Sequence, residues 1–308
     1  MTERQKKILE LIELKRSIFE LKYHSNLNDK EIIRTINSLK SKGYNIEDRF
    51  SINYGHYLQL SKNTNNQIQL ELNNQTTEFS VLAISDTHFI SPYEDRKATD
   101  KIYDFASKKR IKYVFHLGDF VHGGDSNCGY TFNQKKFLQL LKTYPQDNQV
   151  TTFLILGNHD YYLLHKSMYN ISNVIKNNRL DIIPIGKSGN ILVGNSGIEL
   201  CHKTTSSKKV DNNIETLDTI ILKGHQHIFK LENFLNKENR NGILITIPSV
   251  TNMIQEKGYE ILQKGFVQLD FSMKHNKIDS STIKQYMIED FPVMIGEYHH
   301  KFQKVRKD

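Results

Sequence analysis

Apolar residues in the first forty positions recur at helical intervals. Ile8, Leu9, Leu11 and Ile12 share one stripe, Ile18, Phe19 and Leu21 begin a second, and Ile32, Ile33, Ile36 and Leu39 form a third. Such spacing places side chains on one face of a helix. The third helix is bracketed by its own signals, since Asn28 can cap it with Glu31 at the reciprocal position and Gly43 offers a left-handed exit. The pattern then shifts to two short strand-like runs, 44–46 and 56–60, around a polar turn containing Gly55. Between 61 and 78 Asn, Gln and Thr dominate, which marks a domain boundary, interrupted by alternation over 68–72 that reads as an isolated strand.

From Phe79 onward strand-like runs at 79–84, 113–117 and 152–156 alternate with helical ones at 97–108, 134–141 and 161–175, as layered α/β architecture requires. Later runs at 191–193, 198–201, 219–222, 243–247 and 266–271 have little helix between them, so the second half is expected to supply the other sheet. The chain divides on this reading into a small helical domain at 1–60, a linker at 61–78, a larger domain at 79–272 and an extension at 273–308, whose basic end from Tyr298 is expected to fray.

Three helices followed by a hairpin is the winged-helix order. The stretch 32–44, ending in Leu39-Lys40-Ser41-Lys42-Gly43-Tyr44, resembles the recognition helix and wing entry of bacterial winged helix-turn-helix domains. That resemblance implies that Lys30, Arg34, Thr35, Asn37, Ser38 and Lys42 face a DNA groove or its phosphates. A solvated helix face, or a surface that docks a protein partner, stays open as the alternative.

Chemistry concentrates where the strand-like runs end. The first three finish in Ser85-Asp86-Thr87-His88, Gly118-Asp119 and Gly157-Asn158-His159-Asp160; later ones finish in Cys201-His202 and Gly224-His225-Gln226-His227. Ligand sites of α/β sheets lie beyond the carboxyl ends of strands, and a mixture of carboxylate, amide and imidazole donors suits hard and borderline divalent cations. His116, inside a strand-like run, reads as structural.

The ordered set D-x-H, G-D, G-N-H-D, H and G-H-x-H resembles the signature of calcineurin-like metallophosphoesterases across 79–272. The resemblance implies a four-layer sandwich, two central mixed β-sheets flanked by helices, and a centre of two divalent ions. Mn is the first choice of metal, with Fe or Zn also compatible with these donors. By the same resemblance Asp86, His88 and His227 hold one metal, Asn158, His202 and His225 hold the other, and Asp119 bridges them. His159 matches the non-ligand histidine that protonates the leaving oxygen or stabilises the transition state, with Asp160 expected to orient it. Gly118-Asp119-Phe120-Val121-His122 is similar to the G-D-x-x-H of recombination-repair exonuclease subunits, which makes His122 a candidate substrate contact. Lys203, with Lys208 and Lys209 further on, adds candidate phosphate contacts.

Bulk properties narrow this picture only modestly. The 308 residues are 38% hydrophobic and 25% charged, enough to build an enzyme core. The formal charge of +8 permits a polyanionic partner. It is not concentrated in front, where residues 1–75 hold twelve basic against nine acidic side chains. No apolar leader or membrane-length run is present, so a cytoplasmic protein without a membrane partner is expected. Cys128 and Cys201, far apart, make neither a disulfide framework nor a thiolate zinc site. The expected function is hydrolysis of phosphodiester bonds in nucleic acid. The alternatives are a phosphatase or phosphodiesterase for a nucleotide, small molecule or phosphoprotein, or a DNA-binding regulator on a phosphoesterase scaffold.

Overall fold

The structure, a computed structural model, describes residues 1–60, 68–73, 76–123, 132–145, 149–203, 219–235, 241–252, 263–289 and 292–302. Cys128, Lys208, Lys209 and the last six residues lie outside the described residues. Three helices open the chain, α1 (Glu3–Glu13), α2 (Ile18–Ser25) and α3 (Asp29–Lys40). Each starts with a reciprocal capping box, Thr2 with Gln5, Ser17 with Glu20 and Asn28 with Glu31, which satisfies amide donors a helix start would otherwise strand. Their apolar stripes meet in one buried cluster that includes Ile8, Ile12, Ile18, Leu21, Ile32 and Leu39. That cluster also takes Ile46 and Leu58 from the hairpin that follows, β1 (Ile46–Ser51) and β2 (Gly55–Leu60).

The remaining elements, in chain order, are β3 (Ile68–Glu71), β4 (Glu78–Ile84), α4 (Arg96–Lys108), β5 (Tyr113–His116), α5 (Gln134–Thr143), β6 (Thr151–Ile155), α6 (Asn158–Ser167), α7 (Ile171–Lys176), β7 (Ile182–Gly186), β8 (Ser188–Val193), β9 (Ser196–Cys201), β10 (Thr219–Lys223), β11 (Lys230–Leu235), β12 (Asn241–Thr246), β13 (Gly265–Lys274), β14 (Lys277–Ile288) and β15 (Pro292–Lys301). They build two mixed sheets flanked by helices. One has seven strands in the order β15-β14-β13-β4-β5-β6-β7 and the other eight in the order β11-β12-β10-β9-β8-β3-β1-β2. Between the sheets lies a core of Val81, Phe115, Phe153, Ile198, Leu222, Ile245 and Leu269 among others. The opposite face of the seven-stranded sheet is covered by α4, α5, α6 and α7 through Ile102, Phe137, Leu163 and Ile175. Strands buried on both faces read as continuous apolar runs, which is why β4, β5 and β6 stood out in the sequence.

Several expectations are corrected. The run at 68–72 is not isolated, because β3 pairs in parallel with both β1 and β8 and so joins the hairpin to the second sheet. The second half does not form the other sheet alone: β7 pairs with β6, and β13, β14 and β15 extend the first sheet beside β4. The extension beyond 272 is largely strand, and Tyr298 to Lys301 lie in β15 rather than in a frayed tail. The helix expected over 161–175 starts earlier and breaks at Met168, whose φ is 55°.

The first three helices are fastened to the larger body through the start of α3. Leu180 donates its amide to Asp29 Oδ2 at 3.1 Å, while Lys22 Nζ pairs with Asp29 Oδ1 at 2.7 Å. Beside them the buried Arg179 donates to Asp181 at 2.7 and 2.6 Å and to the carbonyl of Leu141 at 2.7 Å. Removing either partner of such a buried, hydrogen-bonded ion pair would leave an uncompensated charge. Among the described residues no helix is long and apolar enough to cross a membrane.

Candidate metal centre

Parallel strands β4, β5 and β6 end on one rim, and each releases its chain through a sharp turn. Asp86, His88 and Asp119 take φ of 53°, 43° and 50°, and His225 and His227 take 73° and 57°. Left-handed backbone costs a non-glycine residue roughly 1–2 kcal/mol. Five of the seven expected ligands adopt it, the pattern of backbone strain that gathers at functional sites and is held by surrounding structure. The holding bonds run between the loops: Asp86 N–H donates to Gly118 O and His88 N–H to Asp119 O, both at 3.0 Å. Gly157 allows the β6 loop to pass Asp119, since a Cβ there would run into the Asp119 carboxylate and amide. A Gly157→Ala variant is expected to weaken cation affinity by about 10- to 100-fold while the chain still folds, as measured by Mn2+ titration calorimetry.

The loops bring two carboxylate-bearing triads together, Asp86 with His88 and His227, and Asp119 with His202 and His225, beside an all-histidine group of His88, His122 and His159; within each, the ligand atoms lie within 4.8 Å of one another. Asp86 Oδ1 is 3.2 Å from His227 Nε2 and 3.8 Å from His88 Nε2. Its other oxygen accepts from Ser85 Oγ at 2.5 Å and from the His225 amide at 3.0 Å, which fixes the carboxylate plane. Asp119 Oδ2 is 3.0 Å from His202 Nε2 in its own triad and 3.9 Å from His88 Nε2 in the other, between the two groups. Asn158 Oδ1 reaches His202 Nε2 at 3.2 Å, and His202 Nδ1 is held by Leu117 O at 2.7 Å.

The donor set fits a cation pair. Asp86 Oδ1, His88 Nε2 and His227 Nδ1 are buried without a hydrogen-bond partner, which folded proteins rarely tolerate unless an ion or water supplies one. Burial depresses His88 to about 3, and burial together with the positive charge of His202 also lowers His225, which favours the neutral, ligating form of both imidazoles. Burial would lower His202 too, but hydrogen bonding to Asp119 and the charges of Asp119 and Asp86 lift it to about 9. Concentrated negative charge of this kind favours positive charge in the cluster.

The expected accessory residues fall differently. His159 is half-buried, its ring stacks on His122 at 4.6 Å and lies 4.9 Å from His88, and its amide donates to Asp119 Oδ1 at 2.8 Å. His122 is buried, with Nδ1 3.2 Å from His88 Nδ1, so it lines the same site. Asp160 does not orient His159. Its carboxylate accepts from the backbone amides of Phe120, Val121 and Gly157 at 3.1, 2.9 and 2.9 Å, tying the loop after β5 to the start of α6. Lys203 is exposed beside His202, and its charge helps lower His225.

Of the positions expected to face DNA, Lys30, Arg34, Asn37 and Lys42 are exposed. Thr35 is not outward: it is buried and its hydroxyl donates to Glu31 O at 2.7 Å, because the apolar stripe of α3 is wide enough to enclose it. Ser38 is half-buried and accepts from Gln5 Nε2 at 2.9 Å, and Lys42 donates to Gln5 Oε1 at 2.9 Å.

Sequence reading missed Ser85 as the partner of Asp86.

Two packed mixed sheets whose loops converge on carboxylates and imidazoles define a metal-dependent phosphoester hydrolase. The chain belongs to the calcineurin-like phosphoesterases, whose family model it matches over residues 79–279. No curated protein matches the sequence. Solved structures of similar fold include a purple acid phosphatase from yellow lupin, Lupinus luteus, at 10% identity over 80% of this chain and 56% of that one with TM-score 0.47. An archaeal phosphodiesterase is similar at 14% identity over 62% and 93% of the two chains with TM-score 0.41. The nuclease MPE of Pseudomonas putida is similar at 16% identity over 64% and 85% with TM-score 0.34.

Proposed function

We propose that this protein hydrolyses phosphodiester bonds in nucleic acid. The observation that carries the reading is the pair of buried triads on left-handed loops with orphaned donors, beside a half-buried histidine outside both triads. Asp86, His88 and His227 would hold one divalent cation and Asn158, His202 and His225 the other, with Asp119 shared. Bound there, such a pair supplies Lewis acidity toward phosphoryl oxygens and activates solvent. The chain's own groups then do the positioning. Asp119 is fixed by His202 and by the amide of His159, and Asp86 by Ser85 and the amide of His225. His159, which stacks on His122, would give a proton to an alkoxide leaving group, as a sugar oxygen in a diester requires. The overall charge of +8 supports a polyanionic substrate.

Incubation with Mn2+ and a panel of single-stranded DNA, duplex DNA, RNA, cyclic nucleotides, bis-p-nitrophenyl phosphate and the monoester p-nitrophenyl phosphate tests this. Cleavage of a polynucleotide and of the synthetic diester is expected; activity confined to phosphomonoesters would replace the nuclease reading with a phosphatase. Substitution His159→Ala is expected to lower turnover about 100-fold with cation content unchanged. Loss of cations from that variant, measured by elemental analysis, would contradict the assigned role.

The anchoring of α3 at Asp29 and Leu180 favours a structural part for the first three helices. In a winged helix the start of the recognition helix meets the bases, and here that end is packed on the catalytic body. DNA contact by this unit would therefore fall to Arg34 and Lys42.

A further inference from the structure

We infer that α6, continuing outward from the centre, carries a binding track for single-stranded nucleic acid, with Tyr161 and Tyr162 as stacking platforms on adjoining sides of the helix and Lys166 and Lys187 as phosphate contacts. The inference rests on the proposed diesterase activity and deepens it by naming the substrate form. The track begins inside the site. His159 is the second residue of α6, and Tyr162 and Lys166 follow at three- and seven-residue intervals, which puts all three on one face. At 1.5 Å per residue the face runs ~10 Å beyond His159. Both tyrosines are half-buried, and Tyr161 also packs against the core beneath the helix.

Each ring also has a cation at hand. Lys187 Nζ stands 4.5 Å from the Tyr161 ring centroid, and Lys166 Nζ stands 5.9 Å from that of Tyr162. Lys187 reaches this point because it directly follows β7, the strand beside β6, on the same rim as the expected ligands. The Tyr93 ring meets His122 edge-on at 6.1 Å, and His122 itself stacks on His159.

Aromatic platforms interleaved with cations are the means by which proteins hold single strands, because an unpaired base offers its face to stack and a duplex keeps it covered. Phosphopeptides are instead gripped by arginine clusters, and between Asn158 and Lys187 the one arginine, Arg179, is buried and paired with Asp181.

The test is fluorescence anisotropy with a fluorescein-labelled phosphorothioate oligodeoxythymidylate, which resists cleavage, on the full chain with Mn2+. Tyr162→Ala and Tyr161→Ala are each expected to raise Kd about 10-fold, and Tyr162→Phe to keep the wild-type value. Lys187→Glu should weaken binding and flatten the dependence of log Kd on log salt by about 1. Lys97→Glu, on the exposed side of α4, serves as a surface control. Wild-type affinity in both alanine variants, or equal wild-type affinity for a duplex of the same length, would overturn the track. Hydrolysis of bis-p-nitrophenyl phosphate by the wild type is read separately. Its absence would remove the proposed activity, whereas affinity lost at Tyr161 and Tyr162 and kept in Tyr162→Phe would sustain the track without it.

Discussion

Substitution Asp119→Ala is expected to abolish turnover, with hydrolysis of bis-p-nitrophenyl phosphate in saturating Mn2+ falling by at least about 1,000-fold. The magnitude follows from where this carboxylate sits. It faces His202 at 3.0 Å and His88 at 3.9 Å, so its loss unbalances both triads at once, and it accepts the His159 amide at 2.8 Å, so the histidine outside the triads loses its anchor too. Cation content per chain, read by elemental analysis, should fall in parallel. The distinguishing control is Asp119→Asn, which keeps the shape and the acceptor for the His159 amide but removes the charge. It should fold normally and still fail to retain cations. An alanine variant with wild-type turnover would show that the converging side chains do not form the active centre.

The second large effect is on folding. Asp160→Ala is expected to destabilise the chain by on the order of 3–5 kcal/mol, because three buried amides, of Phe120, Val121 and Gly157, lose their acceptor together. A midpoint lower by about 10 °C in thermal unfolding is the corresponding reading for a body of this size. Asp160→Asn should recover part of the loss, since its carbonyl oxygen can serve one side while its amide group meets a donor on the other. If instead Asp160→Ala unfolds like the wild type and differs only in the pH dependence of turnover, the carboxylate acts on His159 and not on the loops.

That contrast shows where sequence reading succeeds and where it stops. The convergence of Asp86, His88, Asp119, Asn158, His202, His225 and His227 was legible because each follows a run whose apolar composition fixes a buried strand, and because the strand end fixes the rim. The role of Asp160 was not. Adjacency to His159 suggested a partner, but the third position of a helix turns a carboxylate back toward the cap, here Gly157. Thr35 was misplaced for a related reason: a helix packed through 32, 36 and 39 also shelters what stands between those positions. The edge strands β7 and β15 escaped notice because their alternation is diluted. β7 contains Pro184, which an edge position tolerates, and β15 leaves Val293, Met294 and Ile295 partly exposed. Pairing across large sequence distances, as between β3 and β8, leaves no local trace at all.

The hairpin and β3 complete the eight-stranded sheet, and this governs how the polypeptide can be divided. Phe50 and Leu70 are part of the packing between the sheets, and the Tyr113 hydroxyl donates to the carbonyl of Ser51 at 2.7 Å. Excision before Phe79 would strip β8 of its neighbour, leave a raw seam of unpaired amides and carbonyls, and open the interior to water. Such a seam invites pairing with other chains. The phosphoesterase half is thus not a detachable cassette; expressed alone, it should collect in the pellet.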